Sequence, residues 1–170
     1  MREWIPVSTS PKGRLVLAAA REFGSRPFDD VTVADLARAA EVTTGALYHH
    51  FEGKLGIYAF VRTDVERRVL DRMEGAAAAL PEGSASVRIS AALAVGFDFA
   101  IRAGFAWMLA EPPMGDEPDT IARALAELCA PPSAELGGML AAAWRVGVGA
   151  VARGGDAATV REALGRLSAG

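Results

Sequence analysis

The chain has 170 residues, of which 51% are hydrophobic and 23% charged, and its formal net charge is −3. That is enough apolar material for a packed core in one domain, or in a small domain joined to a larger one, and it excludes a disordered chain. It also excludes a polycation that coats nucleic acid through bulk charge, while leaving room for a local contact surface.

The one cysteine, Cys129, cannot form an internal disulfide; a reducing cytoplasm fits, and Cys129 reads as a small core residue. The opening "MREWIPVSTSPKG" has no apolar run of secretory-signal type. No apolar stretch reaches the about 18 residues of a membrane span. The nearest, 134–152, is interrupted by Glu135 and Arg145 and reads as a packed helix. The expected location is cytoplasmic, with no membrane partner.

Residues 1–9 read as a loose tail. Ser10-Pro11 is an N-cap followed by proline at the first helical position. Leu15, Ala19 and Phe23 give one helical face, which Gly24 is expected to close. After the turn "SRPFDD", Thr32 and Asp35 form a capping-box pair. The helix behind them places Leu36, Ala37 and Ala40 on one face. Val42 and Thr43 make a short turn, and Thr44 to Phe51 a second brief helix, broken by Glu52-Gly53. Lys54 opens a long helix with an apolar stripe of Tyr58, Val61, Val65, Val69 and Met73. Arg62, Glu66, Arg67 and Arg68 are expected mostly to face solvent. Pro81 and Gly83 stop this helix.

Residues 86–101 carry two patterns. Val87, Ile89, Ala91, Leu93, Val95, Phe97, Phe99 and Ile101 alternate as in a strand, whereas Leu93, Phe97, Ile101, Phe105 and Met108 form a helical face. A 16-residue strand would be unusually long and has no evident partner, so a helix is expected; whether 86–110 is one helix or two stays open. A loop at 110–118, a helix near 119–129, a Gly/Ala-rich helix over 134–152 and a last helix capped by Asp156 complete the chain. The expected fold class is all-α. An N-terminal three-helix helix-turn-helix domain occupies 10–53, and a C-terminal helical ligand-binding and dimerisation bundle occupies 54–170.

Two short helices joined by a tight turn and preceded by a third make a helix-turn-helix unit, which lays its second helix in the DNA major groove. Here Leu36, Ala37, Ala40, Val42, Leu47 and Phe51 are the buried set. Thr43, Thr44, Gly45, Ala46, Tyr48 and His49 remain outward. Thr43 or Thr44 caps the second helix, and no carboxylate lies in its first turn, so its free N–H groups and dipole favour a phosphate. Gly45 and Ala46 keep the tip slim, and Ala46 can touch a thymine methyl. The threonine hydroxyls, Tyr48 and His49 can bond phosphates or base edges, and Lys54 can reach a phosphate. Thr32 is chiefly a cap and also a candidate contact. His49 and His50 make no metal site, because neighbouring helical positions point apart and no third ligand is near.

The stretch "VTVADLARAAEVTTGALYHHFEGKLGIYAFV", with "RLVLAAAREFGSRPFDDVT" before it, strongly resembles the DNA-binding domain of TetR-type transcriptional regulators. The detailed likeness covers residues 12–62, and "GALYHHFEGK" is its most specific block. The resemblance implies a homodimer on a short palindromic operator, usually as a repressor. It also implies a small-molecule effector in the helical body and dimerisation through the last two long helices. Thr43, Thr44, Gly45, Tyr48, His49 and Lys54 match the family's DNA-contact positions, and Thr32 matches the start of its second helix. Glu41 departs from the glycine that many members carry; a left-handed backbone there would cost ~1 kcal/mol.

In the body, Phe97, Ile101, Phe105, Met108 and Trp144 are the candidate effector-binding residues, with ordinary core as the plain alternative. Asp98 and Arg102 read as an exposed i,i+4 pair. The small residues of 134–168 (Gly137, Gly138, Ala141, Gly147, Gly149) allow close helix approach across a two-fold bundle. Leu136, Leu140, Trp144, Gly147, Val148, Val151, Val160, Leu164 and Leu167 are the candidate dimer residues. No phosphate loop, nucleophile set or paired buried carboxylates can be placed, so no enzyme, metal or cofactor is expected. The alternative function is a helical small-molecule-binding or interaction protein whose helix-turn-helix unit no longer binds DNA. The N-terminal 60 residues, with seven Lys and Arg against seven Asp and Glu, give that alternative its weight.

Overall fold

The computed structural model describes residues 9–81, 84–115 and 117–167, which form helices and turns with no strand among them. The expected N-terminal tail, apart from Thr9, and Gly83 lie outside the described residues. The chain divides into two compact units, Met1–Asp64 and Val65–Gly170.

The first unit holds α1 (Pro11–Ser25), α2 (Val33–Ala39), α3 (Thr44–Phe51) and the opening turns of α4 (Lys54–Ala78). Ser10 caps α1 by accepting the Gly13 N–H at 2.9 Å, with Pro11 in the first turn. The helix ends at Ser25 and not at Gly24, which stays helical and buried. The stop comes from Pro27, which drives Arg26 into an extended conformation. The capping box of α2 forms as its sequence predicts: the Thr32 hydroxyl accepts the Asp35 N–H, and the Asp35 carboxylate accepts the Thr32 N–H, each at 3.1 Å.

Tyr58 of α4 packs edge-on against Phe23 and Phe28, with ring centroids 4.9 and 4.8 Å away. Ile57 and Val61 are buried beside it in sequence. This packing gathers the first turns of α4 into the N-terminal unit, so the unit runs on to Asp64 where the sequence reading drew its domain edge after residue 53. Arg62, expected in solvent, is buried, and its guanidinium donates to the Tyr58 hydroxyl at 3.0 Å.

The second unit holds the rest of α4 with α5 (Ala85–Arg102), α6 (Ala106–Ala110), α7 (Thr120–Leu128), α8 (Ala134–Ala152) and α9 (Ala157–Leu167). The ambiguous stretch is helical, and it makes two helices. Gly104, at φ 74°, ends α5 with the Phe105 N–H on the Ala100 carbonyl and its own N–H on the Ile101 carbonyl. The core is built on α8: Trp144, fully buried, donates its indole N–H to the Leu93 carbonyl of α5 at 3.1 Å. Leu93, Phe97, Met108, Leu109, Ile121, Leu125 and Val148 are buried in the same unit. At Gly137 the chain demands glycine, since a Cβ there would lie 2.4 Å from the Ala122 carbonyl oxygen of α7. Cys129 is buried and free, with its thiol on the Leu125 carbonyl at 3.3 Å.

Candidate nucleic-acid interface

The outward face of α3 is fixed from behind. Leu47 and Phe51 are buried, as are Leu36, Ala37 and Ala40 of the preceding helix and turn, while Val42 is half-buried. The turn between α2 and α3 closes with Glu41 at φ 54°. The Val42 N–H then reaches the Ala37 carbonyl at 3.0 Å, and the Glu41 N–H reaches Arg38 at 3.1 Å, a Schellman closure in a place that favours glycine. Thr43, and not Thr44, is the N-cap: its hydroxyl accepts the Ala46 N–H at 3.2 Å. At the far end Glu52, at φ 62°, turns the chain into Gly53 and α4. Gly56 lets α4 start beneath α3, because a Cβ there would fall 1.9 Å from the Phe51 carbonyl oxygen.

Thr43, Thr44, Gly45, Tyr48 and His49 are exposed, Tyr48 by 56%, and Ala46 is half-buried. The first turn of α3 contains no acid. The N–H groups not taken by Thr43 therefore meet no competing carboxylate from their own turn. His49 and His50 do not diverge fully. Their rings meet edge-on at 5.0 Å, and His50 leans on Phe51 at 6.3 Å, which leaves His49 the more exposed of the two. Among the described residues no cluster of three His, Cys, Asp or Glu could hold a metal ion.

Two candidates are held within the unit. The Lys54 ammonium donates to the Phe28 carbonyl at 3.1 Å and sits 4.0 Å over the Phe28 ring. Two of its three protons stay available after that bond. Thr32 is exposed, but its hydroxyl and N–H both engage Asp35. These bonds, the hydroxyl first, hold the Asp35 carboxyl at about 2, and Arg38 adds its charge.

A family model described as "Bacterial regulatory proteins, tetR family" matches residues 15–59, the span of this unit from α1 into α4. Residues 15–59 thus form a module similar to the one that model describes. The HTH-type transcriptional regulator BetI of Klebsiella pneumoniae (strain 342) is 38% identical over 69 residues, covering 41% of this chain and 35% of that protein. BetI of Escherichia coli O45:K1 (strain S88 / ExPEC) is 35% identical over 82 residues, covering 48% and 40%. The match thus spans less than half the length of the curated relatives. A TetR-like transcriptional regulator from Rhodococcus sp. RHA1 shares the fold across 93% of each chain, with a TM-score of 0.70 and 18% identity.

In the second unit the predicted effector and dimer residues are sorted by burial. Phe97, Met108 and Trp144 are fully buried core, and Ile101 and Phe105 are half-buried. None of these five lines the cleft between α6 and α8, whose walls include Trp107, Pro112, Arg145 and Val146. Leu140, Trp144, Gly147, Val148 and Leu164 are likewise inside the unit. The small residues of α8 serve this internal packing: Gly137 faces α7, Gly147 faces Val160 and Leu164 of α9, and Gly149 faces Ala110 of α6. Leu136 and Leu167 are exposed and Val151 and Val160 half-buried. The apolar groups that α8 turns outward are Leu136, Met139 and Val146, the last two 69% and 68% exposed.

The sequence reading missed two ion pairs. Arg145 is buried in α8 and forms a two-point pair with Asp119, at 2.7 and 2.8 Å. Asp98 pairs with Arg161 of α9, at 2.9 and 3.2 Å, and not with Arg102, whose guanidinium bonds the Asp98 backbone carbonyl. A lone arginine in the middle of a helix whose other charge, Glu135, sits in the first turn was the available signal, since a buried charge requires a partner.

Proposed function

We propose that the protein is a DNA-binding transcriptional regulator of the cytoplasm, a ligand-responsive repressor that binds a palindromic operator as a homodimer. The observation that carries this reading is the capped, acid-free tip of α3, turned outward by the burial of Leu47 and Phe51. In the major groove, the α3 N–H groups and Thr44 take a phosphate, Gly45 and Ala46 let the tip sit deep, and Tyr48 and His49 bond the flanks. Lys54 serves first to hold α4 to Phe28, and its remaining protons face phosphate. The curated relatives matched by the module are named as helix-turn-helix transcriptional regulators, which supports the reading. A second copy docks on Leu136 and Met139 of α8, with Leu167 on α9, and sets the half-site spacing. The effector acts by shifting the population between dimers that match the operator and dimers that do not.

The test is a gel shift of the full-length protein on palindromic fragments from upstream of its own gene, across a salt series. Tyr48→Ala should weaken binding at least tenfold while the dimer persists. Unchanged affinity in Tyr48→Ala, or no salt-dependent shift on any palindrome, would favour a helical interaction protein that has lost DNA binding.

A further inference from the structure

The second unit carries a cleft of about 440 Å³ between α6, the segment that follows it, and α8. Its apolar surface includes Trp107, Pro112 and Val146, and its polar groups include Asp119, Arg145 and Arg153. The charges on its wall are not equally available. Asp119 receives two bonds from Arg145 and a third from the Ala122 N–H at 2.9 Å, capping α7. Burial pushes its carboxyl up, yet the Arg145 bonds, the Ala122 N–H and the Arg145 charge outweigh that and hold it below its ordinary value. The carboxylate is therefore ionised and already satisfied.

The guanidinium groups are not. The Arg145 side chain is only 8% exposed, and its Nε–H is buried with no acceptor. The backbone N–H of Arg153 closes α8 on the Gly149 carbonyl at 3.2 Å, but its guanidinium forms no hydrogen bond or ion pair among the described residues. Its guanidinium lies over Gly149, with one nitrogen 3.1 Å from where a Cβ would stand. The unengaged Arg153 guanidinium thus shares a cleft with a tryptophan and a proline, beside an Arg145 already bound to Asp119. Arginine donors in a fork match a carboxylate, and flat apolar walls match an apolar body. Glu111, also in the wall and already engaged within the protein, disfavours a polyanion.

We infer that this cleft binds a small organic monoacid, its carboxylate held by Arg153 and its apolar body laid on Trp107 and Pro112. The inference deepens the effector-binding part of the function proposed above and rests on that reading. Its test is run on the full-length protein without DNA, so failure here leaves operator binding untouched, and loss of operator binding leaves this result standing.

The probes are benzoate and 2-naphthoate, each paired with its neutral carboxamide, and the readouts are tryptophan fluorescence and the thermal shift. The carboxylates should bind saturably and raise Tm, with the carboxamides at least tenfold weaker. Arg153→Gln should lower carboxylate affinity at least tenfold with an unchanged circular dichroism spectrum, and Trp107→Phe should remove the fluorescence response. Equal binding of acid and amide, full affinity in Arg153→Gln, or no binding by either carboxylate would overturn the inference.

Discussion

Asp119 has two duties that different substitutions separate. It caps α7 through the Ala122 N–H, and it neutralises Arg145 across 26 positions of sequence. Asp119→Asn keeps a good cap and removes the charge, whereas Asp119→Ala removes both. Breaking a buried ion pair from one side costs about 3–5 kcal/mol, because the remaining charge is left in the interior. The Asp119 side chain is 30% exposed and Arg145 8%, so water screens part of this, and about 2–3 kcal/mol is expected for Asn. Ala should cost about 1 kcal/mol more, the value of the cap. The assay is urea unfolding followed by far-UV circular dichroism at one fixed protomer concentration, since dimerisation would otherwise shift the midpoint. The pH dependence gives a second check. Asp119 titrates below its unfolded value of about 3.9, so its contribution is present above that pH and fades as pH falls through the depressed folded value. The deficit of Asp119→Asn should therefore be full at pH 7 and shrink below pH about 4. An Asn variant within about 0.5 kcal/mol of the parent at pH 7 would show that the Arg145 charge has another outlet and refute this account.

Gly137→Ala should destabilise by about 1–2 kcal/mol in the same unfolding assay, because its methyl meets the Ala122 carbonyl at 2.4 Å. Gly138→Ala, with nothing within 4 Å, should stabilise by about 0.5–1 kcal/mol through helix propensity. Thr32→Ala should cost about 1 kcal/mol and let the Asp35 carboxyl rise from about 2 toward its ordinary value, read by NMR titration of that carboxyl. In the parent protein, the stability that Asp35 contributes is present above its unfolded value and is lost as pH falls toward about 2. The paired change Leu136→Asp and Met139→Asp, at exposed α8 positions, should convert a dimer to folded monomer by sedimentation while leaving the helical spectrum intact.

The N-terminal unit was legible because its signals are local. Ser10-Pro11, Thr32 with Asp35, Thr43 and Glu52-Gly53 each act within one turn of helix, so their spacing in sequence is their spacing in space. Residues 86–101 were harder, because the segment is apolar in both registers and Val87 is left in solvent all the same. Its length decided for helix, and the break at Gly104 lay hidden because a left-handed turn needs only one glycine. The outward face of α8 was not legible. That helix is small or apolar almost all round, so no periodicity separates the side against α6, α7 and α9 from the side in solvent. Its glycines read as an interface with a second copy, and three of them, Gly137, Gly147 and Gly149, lie against the unit's own helices, while Gly138 has nothing within 4 Å. The Arg145–Asp119 and Arg161–Asp98 pairs join residues 26 and 63 positions apart, beyond the reach of any local pattern.

The two left-handed residues around α3 bear on how this unit would recognise DNA. Glu41 and Glu52 each adopt a conformation that costs roughly 1 kcal/mol relative to glycine, and both are exposed, so little side-chain burial offsets that cost. The turns hold all the same, because the Val42 N–H closes on Ala37 and the Glu52 N–H closes on Tyr48, while Leu47 and Phe51 bury the inner face. The direction of α3 is thus set by backbone bonds and buried apolar contacts, and the flanking side chains are free to carry charge. The charge they carry is negative. Beside a unit whose first 60 residues balance seven cations with seven acids, these carboxylates weaken any attraction to phosphate that depends on bulk charge. Binding must then draw on directed donors, the α3 N–H groups, Tyr48 and His49, whose strength depends on fit to one groove. A steep loss of affinity on sequence change with a shallow salt slope follows from that balance, the reverse of what a basic recognition helix would give.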